Sequence, residues 1–239
     1  MSHPLHHSIS SQKQWGGSVN DYLPIHNWFD TTRVFYRDMR HRAMRHHLEG
    51  FAWCEQEFGI CFMNSDGAEV PTKSICEQHC VEDEGFVPTI KDYLDHLPIA
   101  GLYSAFGKER KIKSDKIEYL CGNSQKKWGG QPEDYFPIHN WFNSTTGLYP
   151  DARHLVLRHH IEGVFWCESL LGTYIINSDK RMVPVREIGE QHCLEVIGSV
   201  PYLRDYLQIM PVINWMYNPG KSRAVMKDIR QNKLDYLQK

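Results

Sequence analysis

Apolar residues at Met44, Leu48, Phe51 and Phe58 recur close to a helical period and predict one long helix from about Arg40 to Phe58, stopped by Gly59. Upstream, a Trp15-Gly16-Gly17 turn leads to a short helix entered at "PIHNWF", with Pro24 as its start signal. Downstream, "GICFMN" and "AEVPTKSI" read as two short strands joined through "SDG", a turn-forming sequence. A helix carrying "EQHCVED" and another at "TIKDYLDHL" follow. The pattern predicts a mostly helical α+β unit with one short β-hairpin.

The pattern then occurs a second time. "SQKQWGG…DYLPIHNWF" at Ser11–Phe29 returns as "SQKKWGG…DYFPIHNWF" at Ser124–Phe142, an offset of 113 (124 − 11). That offset holds without a gap through Trp53/Trp166, Asn64/Asn177, Glu77/Glu190 and Asp92/Asp205. The echo closes with "KIEYL" at Lys116–Leu120 against "KLDYL" at Lys233–Leu237. A repeat this long is a domain duplication, not a solenoid. It divides the chain into units 1–120 and 121–239, expected to share one fold and to pack about a pseudo-two-fold axis, a monomer acting as a pseudo-dimer.

Composition narrows the classes. At 41% hydrophobic and 23% charged residues, the chain has the balance of a soluble globular protein. A net charge of -2 gives no bulk attraction to long nucleic acid. No apolar run approaches the roughly 18 residues of a membrane span, and the N-terminus lacks the pattern of a secretory signal. Seven cysteines, an odd count at low density, suggest reduced thiols and a cytoplasmic setting. Histidine is the outlier, at fourteen residues.

The two copies diverge selectively. On the long predicted helix, Met44 becomes Leu157, Leu48 becomes Ile161 and Phe51 becomes Val164, swaps that a core needing only volume accepts. Arg40, His41, Arg45, His46, His47 and Glu49 all recur. Helical spacing places His46, Glu49 and Trp53 on one face and His47 toward the core. Imidazoles and carboxylates on separate helices are the ingredients of a metal site. The candidate ligands are His26, His46, His47 and His79, with His139, His160 and His192 as second-copy counterparts; zinc or manganese is the expected ion. Asp30 or Glu49 is the candidate base for a metal-bound water. Arg40 and Arg45 suit phosphate oxygens, and Trp28, Asn64 and Asp66 complete a candidate ligand-binding set. Each feature also has a plain structural reading: ion pairs for Arg45, His46 and Glu49, packing for the tryptophans, and a hairpin turn for "NSDG". Cys54 and Cys80 read as core residues, with zinc ligation as the sharper alternative.

In order, "HPL", "WGG…DYLPIHNWFD", "DMRHRAMRHHLEG", "NSDG…VP" and "EQHCVED…VPT" resemble an uncharacterised domain family of bacteriophage and bacterial genomes, in which a single copy is usual. The resemblance implies no activity, and a phage origin would imply a host cytoplasm. The second copy departs from the pattern: Asp30 becomes Asn143, Asp83 becomes Val196, and Lys116 stands in the place of His3. Three functions are compatible with these residues. One is a metal-dependent hydrolase of a phosphate-bearing small molecule, with the first unit as the stronger site. Another is a binding protein that sequesters a small anionic, nucleotide-like ligand or blocks a host protein. The third is a structural protein without chemistry.

Overall fold

A computed structural model describes residues 3–105 and 116–217. The final repeat echo at Lys233–Leu237 lies outside them. Two compact units are present, one comprising the chain to Asp95 with the segment from Pro211, the other His96–Met210. The repeat boundary expected near Leu120 falls inside a helix, Ile117–Trp128.

In the first unit, α1 (Pro4–Trp15) is a polar helix whose buried side is Pro4, His7, Ser8 and Ser11. The apolar pattern gives no sign of it. The Gly16-Gly17 turn, with φ of 78° and 68°, leads into α2 (Val19–Asp30). That helix begins at a Ser18–Asp21 capping box, so Pro24 lies within it and is not its start.

The long helix expected over Arg40–Phe58 is broken. Met39–Met44 forms a 3-10 helix, His47 is extended at φ -153° and ψ 164°, and α3 runs only from Leu48 to Phe58. His47 is the N-cap, its Nδ1 accepting the Gly50 amide at 3.0 Å. Leu48 donates its amide outward to Pro88 at 2.8 Å. The sharp corner also requires Gly50, because a Cβ there would lie 2.2 Å from the Arg45 carbonyl oxygen. A cap and a glycine at one corner outweigh the helical propensity of the flanking residues.

The hairpin forms as expected, β1 (Cys61–Met63) antiparallel to β2 (Glu69–Pro71) with Phe62 opposite Val70. Helix α4 (Thr72–Glu84) starts directly after Pro71 and ends at left-handed Gly85; α5 (Ile90–Leu94) carries a Thr89–Asp92 capping box. Tyr22, Ile25, Phe29, Phe51, Val70 and Ile75 lie at the centre of the core. Cys54, Cys76 and Cys80 are packed into the same core as free thiols.

The second unit contains α6 (Ile99–Ala105) and then repeats the scheme. It has α7 (Ile117–Trp128), α8 (Phe136–Asn143), a 3-10 segment Ala152–Leu157, α9 (Ile161–Leu171), a β3–β4 hairpin (Tyr174–Ile176, Met182–Pro184), α10 (Val185–Ile197) and α11 (Leu203–Leu207). Here α6 packs on Ala152–Leu157 and α11. In the first unit α12 (Asn214–Tyr217) packs on Met39–Met44, and Trp215 meets Tyr93 and Phe86 edge-on at ring distances of 5.0 and 5.2 Å. Each repeat's last described helix therefore belongs to the other repeat's compact unit.

Candidate metal centre

Three elements of the first unit aim side chains at one buried point. Helix α2 brings Asp30, the corner before α3 brings His46, and one face of α4 brings His79 and Asp83 at i and i+4. One ligand atom from each of these four lies within 4.8 Å of every other, and the group could hold a metal ion. His79 Nε2 is 3.1 Å from His46 Nε2. His46 Nε2 stands 3.6 Å from Asp83 Oδ2 and 3.8 Å from Asp30 Oδ1, and His79 Nε2 3.8 Å from Asp83 Oδ2. Atoms bound at about 2.1 Å to one ion, at angles between octahedral and tetrahedral, lie roughly 3.0–3.5 Å apart. The separations therefore approach those of a shared ion. Both carboxylate oxygens of Asp30 are buried without a hydrogen-bond partner, a costly condition that a cation relieves.

The surroundings fix the ligands. His26 Nδ1 lies 3.0 Å from His79 Nδ1, and its Nε2 is 2.8 Å from Ser11 Oγ, so His26 orients His79 from behind. Arg42 Nη2 pairs with Asp83 Oδ2 at 2.8 Å, and its Nη1 with Glu84 Oε1 at 2.8 Å. His7 from α1 lies between Glu82 (2.5 Å) and Asp83 (3.3 Å). Burial pushes His46 down to about 4 and His26 to about 3, and holds His79 well below its ordinary value. Burial opposes ionisation of Asp83, but bonds from His46 and His7 and the Arg42 charge outweigh it and hold the carboxyl well below the usual range. Burial likewise works to raise Asp30, and the His41 and His46 rings beside it overcome that and lower it. Neutral imidazoles facing ionised carboxylates are the protonation states a divalent ion requires.

The other expected site residues lie elsewhere. His47 caps α3. Glu49 is not on a face with His46, because the corner separates them; its Oε2 accepts the Ile90 amide at 2.8 Å. Arg40 is paired with Asp38. Arg45 reaches the Trp28 carbonyl and stacks over the Trp28 ring at 4.1 Å. Asn64 and Asp66 hold the hairpin against the Gly16-Gly17 turn: Asn64 Nδ2 donates to the Trp15 carbonyl at 2.9 Å, and Asp66 Oδ2 accepts the Gly17 amide at 2.6 Å. The same docking recurs at Asn177 and Asp179, with Lys180 at φ 60° in the place of Gly67. This accounts for the survival of "NSD" when the glycine changed. Cys54 and Cys80 are outside the four-residue group, and burial pushes the Cys80 thiol well up.

The second unit keeps the three imidazoles His139, His159 and His192 and loses the charges around them. His139 Nδ1 lies 2.9 Å from His192 Nδ1, and His192 Nε2 lies 3.1 Å from His159 Nε2. His160, like His47, is an N-cap. At the offset of 113 (120 − 7), His7, Asp30, Arg42, Asp83 and Glu84 become Leu120, Asn143, Leu155, Val196 and Ile197. That concerted loss was the available signal for His7, Arg42 and Glu84, which residue-type reasoning alone passed over.

The duplicated scaffold with a His/Asp cluster in one copy defines a tandem-repeat α+β protein with one candidate metal centre among its described residues. The chain belongs to the family described as Domain of unknown function (DUF6915), whose model matches residues 2–102 and again 116–216. No curated protein and no solved structure matches it.

Proposed function

We propose that this protein is a divalent-metal protein whose single working centre, in the first unit, is held by Asp30, His46, His79 and Asp83. The observation that carries this reading is the convergence of four buried donors, among which both Asp30 oxygens have no hydrogen-bond partner. Two imidazoles and two carboxylates, with no thiolate, suit zinc or manganese. Such an ion supplies a bound water of lowered pKa, so the reaction class the donor set supports best is hydrolysis. Asp30, the ligand with the most exposed side chain at 8%, is the residue placed to take a proton. Phosphate recognition by Arg40 and Arg45 has no support in their placement, since both are engaged elsewhere. Recognition of the substrate therefore falls to groups other than these two.

Metal analysis of the untagged protein tests the reading. One zinc or manganese per chain, lost in Asp83→Val and absent from the second unit, is expected. A chain that binds neither ion after chelation and reloading leaves the cluster as an ion network around Arg42, and the structural reading takes its place. A panel of small esters and amides, with and without chelator, tests the hydrolytic part.

A further inference from the structure

The buried hydroxyl of Ser11 carries one hydrogen and meets two oxygens that can only accept it. Its Oγ lies 2.6 Å from Gln78 Oε1 and 3.1 Å from the His7 carbonyl oxygen. Glu82 sets the Gln78 amide the right way round, because its carboxylate Oε1 accepts from Gln78 Nε2 at 2.7 Å. With its hydrogen so directed, Ser11 Oγ accepts from His26 Nε2 at 2.8 Å, and that nitrogen carries the hydrogen of its ring. Burial keeps His26 and His79 neutral, so each ring holds one hydrogen. His26 Nδ1 is then a lone pair, and its 3.0 Å contact with His79 Nδ1 requires the hydrogen to sit on His79 Nδ1. What remains on His79 is a bare Nε2, the atom 3.1 Å from His46 Nε2 and 3.8 Å from Asp83 Oδ2.

The second unit has the rings without the anchor. Ser124 Oγ lies 2.9 Å from His139 Nε2, and His139 Nδ1 lies 2.9 Å from His192 Nδ1. Gln191 Nε2 donates to Glu195 Oε1 at 2.5 Å, yet Gln191 Oε1 is buried without a partner. The link from serine to glutamine is therefore open in the copy that lost both carboxylates.

We propose that Ser11, aimed by Gln78, is a positioning residue for the metal centre: through His26 it holds His79 in the Nδ1–H tautomer, so that Nε2 faces the other three ligands as a lone pair before any ion arrives. The purpose of this relay rests on the metal-centre reading above; the tautomers themselves are a property of the metal-free chain.

Nitrogen-15 NMR of the full chain without metal, at neutral pH and with the rings assigned through the backbone, reads which nitrogen of each carries the hydrogen. His26 protonated at Nε2 and His79 at Nδ1 are expected. His79 protonated at Nε2, or populated in both forms, overturns the proposal. In Ser11→Ala, which removes the acceptor of His26, His79 is expected to populate both tautomers and zinc affinity to fall about 10–100-fold. Ser11→Thr, which keeps the hydroxyl, should restore both readings. Weaker binding in Ser11→Ala with His79 still wholly in the Nδ1–H form would reduce Ser11 to a packing residue and overturn its role. Failure of the wild type to bind zinc overturns the metal-centre reading and the purpose given to Ser11, and leaves the tautomers untouched. If Ser11→Ala does not fold, the wild-type tautomers alone decide.

Discussion

Arg42 Nη2 lies 2.8 Å from Asp83 Oδ2, and both side chains are 1% exposed. This pair is the hub of a charged set, with Glu84 on the other guanidinium nitrogen and His7 on the other side of Asp83. Burial pushes Glu84 up to about 7 in spite of Arg42. Such a set gives little net stability, because desolvation offsets attraction. The second unit fills the same four places with Leu120, Leu155, Val196 and Ile197.

Removing one member alone leaves its partners buried and uncompensated. Arg42→Leu is expected to cost about 3–5 kcal/mol. The quadruple variant His7→Leu, Arg42→Leu, Asp83→Val, Glu84→Ile is expected to recover most of that loss while binding no metal. Urea denaturation with metal analysis checks both. A quadruple variant as unstable as the single one would show that the set is a stability device.

Asp30→Asn should weaken metal binding in the first unit at least as strongly as loss of a group that only orients a ligand, about 10–100-fold. Asn143→Asp alone should gain little, because Val196 leaves the second unit one carboxylate short. Asn143→Asp with Val196→Asp should create a second, weaker site. Calorimetric titration with manganese gives the stoichiometry. Unchanged binding in Asp30→Asn would remove this carboxylate from the centre.

Acid should destabilise the metal-free protein. Burial lowers His26 to about 3 and His46 and His139 to about 4. Their unfolded forms take up protons first, so the stability they contribute is complete above pH 6.5 and is lost as pH falls through these folded values. For His139 alone, the drop from 6.5 to about 4 corresponds to on the order of 3 kcal/mol. His7 runs the other way: Asp83 and Glu82 raise it against burial, so its contribution is present below 6.5 and fades as pH rises through its higher folded value. Denaturation midpoints between pH 7.5 and 4 should fall steeply at the acid end. A flat profile would mean that the imidazoles titrate as if exposed.

Asp66→Ala should loosen the Gly17 contact and cost about 1–2 kcal/mol, with metal affinity unchanged. A change in affinity without a change in stability would return Asp66 to the ligand-binding role its spacing suggested.

Gly50→Ala should be severe, on the order of 3–4 kcal/mol, because the new Cβ meets the Arg45 backbone. Gly122→Ala, in α7 with nothing within 4 Å of its Cβ, should be neutral or stabilising by about 0.5–1 kcal/mol. Thermal melts of the pair measure the corner directly.

The sequence by itself determined the duplication, the mostly helical α+β class and each hairpin, because two-residue and 3.6-residue periods and turn residues act over a few positions. It also marked His46, His79, His26 and Asp30 as residues worth holding. Tertiary structure decided which of these meet. A cap at His47 and a close backbone approach at Gly50 rotate His46 into the interior and Glu49 away from it, and no periodicity encodes such a corner. Helix α1 was invisible for a related reason. Its buried face is His7, Ser8 and Ser11, polar residues whose burial makes sense only against Glu82, Asp83, His26 and Gln78 from distant parts of the chain. A polar group goes inside when a partner awaits it there, and only the folded chain supplies the partner.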